Sequence, residues 1–172
     1  DSAAPKGRLI LPQQQTIRDI LDSGAQALVT KETTLGHALK SLAVKPRLVI
    51  TDSQAFRMVA QEVPSDIPLT SFSILFARHK GILRPAVKGL LAVPKLQNGS
   101  RVLMAEGCTH HRQCGDIGTQ KLPNWLTRAT GKKLEFGFSS GAGFPEDLSP
   151  YDLVVHCGGC MLQERVVKGR ME

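Results

Sequence analysis

RVLMAEGCTHHRQCGDIG (residues 101–118) and YDLVVHCGGC (residues 151–160) are the two stretches from which the predicted topology of this chain follows. They contain all four cysteines and three of the five histidines. In each stretch, a short apolar run typical of a β-strand leads directly into the cysteine and histidine residues. Because open α/β sheets bind ligands at the carboxyl ends of their strands, we expect the two clusters to meet at one edge of a parallel sheet.

The residue types in these clusters indicate a metal centre. Thiolates together with imidazoles favour zinc or an iron–sulfur cluster. The two glycines between Cys157 and Cys160 let the backbone fold around a metal, and a helix beginning there favours thiolates at its N-terminus. The sequence therefore predicts a metal site at the sheet edge. Its candidate ligands are Cys108, Cys114, Cys157, Cys160, His110, His156 and Asp116.

The residues alone leave the roles of several candidates open. Cys114 could complete a four-cysteine site for zinc or for a 4Fe-4S cluster. His110 or His156 could fill a fourth position or support a ligand by hydrogen bonding. Asp116 could cap the following helix or offer a carboxylate to iron. A structural zinc domain and a thiol–disulfide oxidoreductase that uses the C-G-G-C pair are the alternative interpretations.

The sequence contains none of the common catalytic signatures. A G-x-x-x-x-G-K-[ST] loop is absent, so we expect no nucleotide site in this chain. Ser–His–Asp and H-E-x-x-H elements are also absent. The glycine-rich stretch GFSSGAGF (residues 137–144) lacks a lysine and does not follow the Rossmann pattern. We therefore expect this chain to bind rather than to catalyse.

The composition is that of a globular protein with a basic surface. Of the 172 residues, 41% are hydrophobic and 22% are charged, and the net charge is +7. No apolar run approaches the ~18 residues of a membrane span, and the polar first residues lack the apolar core of a signal peptide. One Trp and one Tyr offer few stacking platforms for nucleic acid. We therefore expect a cytoplasmic protein without membrane or nucleic-acid partners, whose basic excess suits an acidic protein.

Short apolar strands alternate with amphipathic helices along the chain. This alternation predicts an α/β fold of two small βα-repeat domains, each with a mainly parallel sheet flanked by helices. The pattern restarts near residues 74–80, where we place the domain boundary. The predicted strands cover residues 8–11, 27–30, 47–51, 69–73, 101–105, 133–137 and 152–155. The predicted helices cover residues 16–24, 33–42, 53–63, 83–96, 122–130 and 161–171.

The spacing of the cysteines and histidines resembles a known family signature. Cys108-Thr-His110 is followed, after 45 residues, by His156-Cys157-Gly-Gly-Cys160. This pattern resembles the C-x-H…H-C-x-x-C signature of the FeFe-hydrogenase maturation factor (HydF) family. The stretches KGRLILPQQQTIRDILD, LVITDSQAF, LTSFSILFARHKG and AEGCTHH…DIG also look like that family, so the resemblance covers almost the entire chain.

The resemblance implies a division into domains. Proteins of this family carry an N-terminal GTPase domain, a small dimerisation domain and a C-terminal cluster-binding domain. By this comparison, residues 1–6 are a linker from a missing GTPase domain, residues 7–75 are the dimerisation domain and residues 78–172 are the iron–sulfur cluster-binding domain. The family usually continues beyond the helix that follows the C-x-x-C pair, which allows for a truncated C-terminal end here.

The resemblance also implies a ligand set. Cys108, Cys157 and Cys160 would hold a 4Fe-4S cluster. The fourth position is labile in this family, and its candidates here are His110, His156, Asp116 and Cys114. Because Cys114 lies outside the three-cysteine pattern, its ligation would make the cluster less exchangeable.

The function implied by the resemblance is that of a scaffold and carrier. The family receives the diiron precursor of the hydrogenase active site after two radical-SAM maturases have acted, and delivers it to apo-hydrogenase. The expected partners are these proteins and further copies of the chain, in a homodimer or a tetramer. The family's GTPase activity belongs to the domain that this chain lacks, so the chain itself is not expected to be an enzyme.

Overall fold

The computed structural model describes residues 9–107, 117–157, 159 and 162–171. The chain divides into two compact units, Asp1–Leu75 and Phe76–Glu172. Helices flank a small parallel sheet in each unit, which confirms the predicted α/β fold class. None of the helices in these residues combines the length and the apolar character needed to cross a bilayer.

The first unit, within the described residues, is organised around a two-stranded sheet. Its elements are α1 (Leu11–Asp22), α2 (Leu35–Ser41), β1 (Val49–Thr51), α3 (Phe56–Glu62), β2 (Leu69–Ser71) and the start of α4 (Phe72–His79). β1 and β2 pair in parallel, with Val49 opposite Leu69. α3 supplies the crossover that parallel strands require. The buried side chains of Leu35, Val59 and Ile67 contribute apolar core to this unit.

The strand predicted over residues 8–11 is wrong, because Leu11 already begins α1. Pro12 lies in the first turn of this helix, where its fixed φ suits a helix and its missing N–H costs no hydrogen bond. The side chain of Gln13 accepts a hydrogen bond from the N–H of Ile10 at 3.2 Å. The proline therefore starts a helix rather than ending a strand.

The strand predicted over residues 27–30 is also wrong. This segment has no ladder partner among the described residues, and its Leu28 and Val29 side chains are 60% and 58% exposed. β-propensity produces a strand only where a neighbouring strand is available to pair. The strand predicted over residues 69–73 is correct as far as Ser71, and α4 begins at Phe72.

The second unit, within the described residues, contains a three-stranded parallel sheet. Its elements are the end of α4, α5 (Leu83–Leu90), β3 (Arg101–Glu106), α6 (Leu122–Thr130), β4 (Glu135–Ser140), β5 (Leu153–His156) and α7 (Glu164–Gly169). The strand order is β4–β3–β5, so β3 is central. Ala105 of β3 lies opposite His156 of β5. This confirms that the strands leading into the two cysteine clusters are parallel neighbours.

Two helices of this unit are shorter than the sequence predicts. The helix predicted over residues 83–96 ends at Leu90, and a separate 3₁₀ turn, Val93–Lys95, surrounds Pro94. In a continuous helix Pro94 would have no N–H for the carbonyl of Leu90 and its ring would clash with that carbonyl, which explains the interruption. The helix predicted over residues 161–171 is limited to α7, Glu164–Gly169.

β3 is buried on both faces. Val102, Leu103, Met104 and Ala105 are each 2% exposed or less. An unbroken apolar run of this kind is typical of a parallel strand that is covered on both sides. On one face, Val102 and Met104 pack with Leu96 and with leucines of α6. The burial of β3 therefore fixes the position of its carboxyl end. The segment with the first cysteine cluster follows directly in the sequence.

Gly137 in β4 makes room for an aromatic ring. A Cβ atom at this position would lie 2.8 Å from Oη and 2.9 Å from Cε1 of Tyr151. The same ring also carries the guanidinium of Arg101, whose Cζ lies 5.3 Å from the ring centroid. A side chain at residue 137 would displace Tyr151 from the sheet.

We expect Gly137→Ala to lower the free energy of unfolding by about 1–3 kcal/mol, because overpacking against a ring forces the backbone or the ring to shift. Chemical denaturation with two probes measures the change. Gly89→Ala is the matched control: it lies in α5 with no heavy atom within 4 Å of the added Cβ, and should raise stability by up to about 1 kcal/mol. Equal stability of the two variants would contradict the packing of Tyr151 on Gly137.

Candidate metal centre

The carboxyl ends of β3 and β5 place Gly107, which precedes the first cysteine cluster, next to Cys157 of the second. The N–H of Cys157 donates to the carbonyl oxygen of Ala105 at 2.9 Å, which extends the β3–β5 ladder by one residue. The N–H of Gly107 then donates to Cys157 Sγ at 3.0 Å. Cys108 follows Gly107 directly in the sequence. Gly107, the last residue before the first cysteine cluster in the sequence, therefore lies beside the sulfur of Cys157.

The sulfur of Cys157 lies among backbone donors. Besides Gly107, the N–H of Gly159 points to this sulfur at a distance of 3.4 Å. Hydrogen bonds of this kind are those that stabilise cysteine thiolates when they ligate metals, and they tune the potential of iron–sulfur clusters. The residues present therefore fit a metal group held by thiolates.

Two glycines shape the walls of this site. A Cβ at Gly107 would lie 2.7 Å from Cδ1 of Leu162 and 3.4 Å from the sulfur of Cys157. Gly159 has a φ of +58°, and its Cβ would lie 2.9 Å from Cγ2 of Val167. Residue 159 therefore requires glycine, because the left-handed conformation there excludes most other residues.

The environment of Cys157 favours its thiolate. Burial of the sulfur raises the pKa of the Cys157 thiol, although the residue as a whole is exposed. The adjacent His156 side chain and the N–H groups of Gly107 and Gly159 outweigh this effect. The pKa of Cys157 therefore lies below the usual range of a cysteine.

His156 uses both of its ring nitrogens within the protein. Nδ1 lies 2.6 Å from the carbonyl oxygen of Cys157, and Nε2 lies 3.2 Å from Nη1 of Arg170. Because a guanidinium can only donate hydrogen bonds, Nε2 must accept and Nδ1 carries the hydrogen. Binding of a metal through Nε2 would require Arg170 to leave.

Arg170 is held in place by two further contacts. Its Nη2 donates to the carbonyl oxygen of Gly141 at 2.6 Å, and its Cζ lies 4.7 Å from the centroid of the Phe144 ring. The rings of Phe144 and His156 have centroids 6.1 Å apart. The glycine-rich segment after β4 thus helps to keep the guanidinium on the imidazole.

Sequence reasoning missed three residues that the structure places in this region. They are Arg170, the buried Lys80, and Ser139, whose hydroxyl oxygen is buried without a hydrogen-bond partner among the described residues. Lys80 lies in the stretch LTSFSILFARHKG, which resembles the HydF family, but its sequence neighbours give no signal that it is buried. Arg170 and Ser139 have no local signal, because their contacts are made across the fold.

Most of the predicted ligands lie outside the described residues. These are Cys108, His110, Cys114, Asp116 and Cys160. Within the described parts of the chain, no group of three or more His, Cys, Asp or Glu side chains could hold a metal. The ligand set therefore stays a prediction, of which the structure describes Cys157 and His156.

Comparison with protein families gives two matches. Residues 1–81 match the family model described as the hydrogen maturase F dimerization domain, and residues 84–172 match that of the hydrogen maturase F tetramerization domain. A search of curated proteins found no significant match.

In the metal-free protein, we expect Cys157 to be alkylated by iodoacetamide with a pH midpoint below about 8.5, the usual value for a cysteine, because its thiolate is stabilised. The measurement uses a variant in which Cys108, Cys114 and Cys160 are serine. Adding His156→Phe should move the midpoint upward, and the urea-unfolded protein gives the reference midpoint. Identical midpoints in the folded and unfolded states would refute the stabilisation of the thiolate.

Proposed function

This chain belongs to the hydrogen maturase F family, and we propose that it forms the self-associating, cluster-binding part of a hydrogenase maturation scaffold. The matched domains are those of a hydrogenase maturation factor, and both are described by their self-association. In this proposal the chain binds a 4Fe-4S cluster and receives the diiron precursor of the hydrogenase active site. It passes this cargo to apo-hydrogenase after two radical-SAM maturases have acted.

The contact between the N–H of Gly107 and the sulfur of Cys157 carries the proposal. It supports a site in which the sulfur of Cys108, one residue further along the chain, ligates the same metal group as Cys157. Cys160 follows Cys157 at the spacing common in iron–sulfur and zinc sites. We propose that Cys108, Cys157 and Cys160 are the three cluster ligands.

The fourth ligand, in this proposal, comes from the segment after β3 and not from His156. The ring nitrogens of His156 are both engaged, by Arg170 and by the carbonyl of Cys157. This favours His110, Asp116 or Cys114 for the fourth position. A histidine or carboxylate there leaves one iron open to exchange when the cluster is bound, whereas a fourth thiolate would close it.

The proposal gives the chain a binding role. The matched domains are oligomerization domains rather than catalytic ones. A net charge of +7 suits recruitment of an acidic partner such as an apo-protein. Because clusters ligated by thiolates need a reducing compartment, the proposal places the chain in the cytoplasm.

Anaerobic reconstitution with iron and sulfide tests the cluster. We expect about four irons and four sulfides per chain, and an EPR signal of the reduced protein that changes when imidazole is added. Cys108→Ala, Cys157→Ala and Cys160→Ala should each abolish retention, since each removes a ligand.

Cys114→Ala is the control for the three-cysteine site, and it should keep the cluster. Light scattering should find every variant at least dimeric, because the changes lie outside the residues that match the dimerization domain. Loss of the dimer in Cys157→Ala would refute the domain division.

Tightly held zinc without iron would support the alternative of a four-cysteine zinc site, and metal-independent turnover of disulfides would support the oxidoreductase.

Spectroscopy of single variants tests the fourth position. We expect His156→Gln to leave the number of irons and the EPR g-values unchanged, because His156 is not a ligand. One of His110→Gln, Asp116→Asn or Cys114→Ser should change the g-values of the reduced cluster. A changed spectrum in His156→Gln alone would mean that Arg170 moves away and that His156 ligates the iron.

A further inference from the structure

Lys80 is a buried cation next to the cysteine loop. Lys80 is 6% exposed, and it is the one charged residue that is buried within the described part of the chain. It follows the last residue of α4 and precedes Gly81, which turns the chain with a φ of +72°. Burying a charged ammonium is costly unless polar groups or an opposite charge compensate it.

The partners of Lys80 belong to the loop that joins β5 to α7. Its Nζ donates hydrogen bonds to the carbonyl oxygens of Gly159 and of Leu162, the latter at 2.7 Å. The ring of Phe76 lies on another side, with its centroid 5.8 Å from Nζ. No salt bridge joins Lys80 to a carboxylate among the residues that the structure describes. The hydrogen bonds to the carbonyls offset part of the desolvation free energy of the ammonium. They supply no negative charge, so its positive charge is not balanced by them.

The two carbonyls bracket the second cysteine of the loop. Gly159 and Leu162 lie on either side of Cys160 in the sequence, and the N–H of Gly159 also points to the sulfur of Cys157. The N–H of Leu162 donates to the carbonyl of Gly159 at 2.9 Å, so the ammonium ties both ends of a closed turn. A single side chain that follows α4 therefore binds the backbone at the two described residues on either side of Cys160 in the sequence.

We propose that Lys80 is the positioning residue of the C-G-G-C loop and the positive counter-charge of the anionic group that its thiols bind. This inference rests on the proposed cluster function. A thiolate-ligated 4Fe-4S cluster carries net negative charge, which an adjacent ammonium stabilises. Lys80 has no carboxylate partner among the described residues, and in this proposal the bound cluster supplies the opposite charge.

Lys80→Met tests this role, since it keeps the length and the apolar stem of the side chain but removes the donors and the charge. We expect the cluster of this variant to be lost about 10- to 100-fold faster during anaerobic chelation, as found when outer partners of metal ligands are removed. Its midpoint potential in an EPR-monitored titration should become more negative, because a positive charge has been removed. Lys80→Arg should keep the parent potential while losing the cluster at an intermediate rate.

Lys88→Met is the matched control, because Lys88 is an exposed lysine of α5 in the same unit. It should retain the cluster and its potential as the parent does. Equal loss rates and equal potentials in Lys80→Met and Lys88→Met would overturn the inference. A faster loss without a change in potential would support the positioning role and overturn the role as counter-charge.

Amide hydrogen exchange of the metal-free protein separates the inference from the proposed function. We expect Lys80→Met to accelerate exchange in the peptide that covers residues 157–162, whereas exchange in β3 should stay as in the parent. If the parent protein retains no cluster, the proposed function fails, and this measurement alone decides whether Lys80 positions the loop. Unchanged exchange in residues 157–162 would then overturn the positioning role as well.

Discussion

The parallel pairing of β3 with β5 is the constraint on which the candidate site depends. The ladder places Ala105 opposite His156 and continues through the N–H of Cys157. β3 is buried on both faces from Val102 to Ala105, so a slip of one residue would move the charged Arg101 or Glu106 into a buried position. The position of Cys157 beside Gly107 is therefore fixed by the same packing that stabilises the sheet.

Around this sheet edge, the backbone of the cysteine loop is held by cations on two sides. The ammonium of Lys80 binds two carbonyls of the loop, and the guanidinium of Arg170 holds the imidazole of His156. Backbone N–H groups meanwhile point to the sulfur of Cys157. Carbonyls bound to cations, and N–H groups directed at sulfur, together make an environment suited to a negatively charged group. A cluster with thiolate ligands has this property, and the family membership gives it a biological setting.

Much of the fold could be predicted from local sequence signals, because those signals describe interactions between near neighbours. The apolar run of β3, the proline in the first turn of α6 and Gly131 at its end have local physical causes, and these elements match the structure. The same reasoning failed where a local preference needed a distant partner. Residues 27–30 have strand propensity but no strand to pair with among the described residues, and Pro12 is equally compatible with ending a strand and with starting a helix.

The sequence by itself determined the α/β class and the parallel arrangement of the two strands that lead into the cysteine clusters. These follow from hydrophobic periodicity and from the chemistry of closely spaced residues. Only the tertiary structure decided that Nε2 of His156 is hydrogen-bonded to Arg170 and that Lys80 is buried against the cysteine loop. Lys80 and Gly159 are separated by 79 residues, and no local pattern encodes such a contact. Whether a lysine is a solvated surface charge or a buried anchor depends on what the fold places over it, because its burial and its partners are properties of packing and not of the neighbouring sequence.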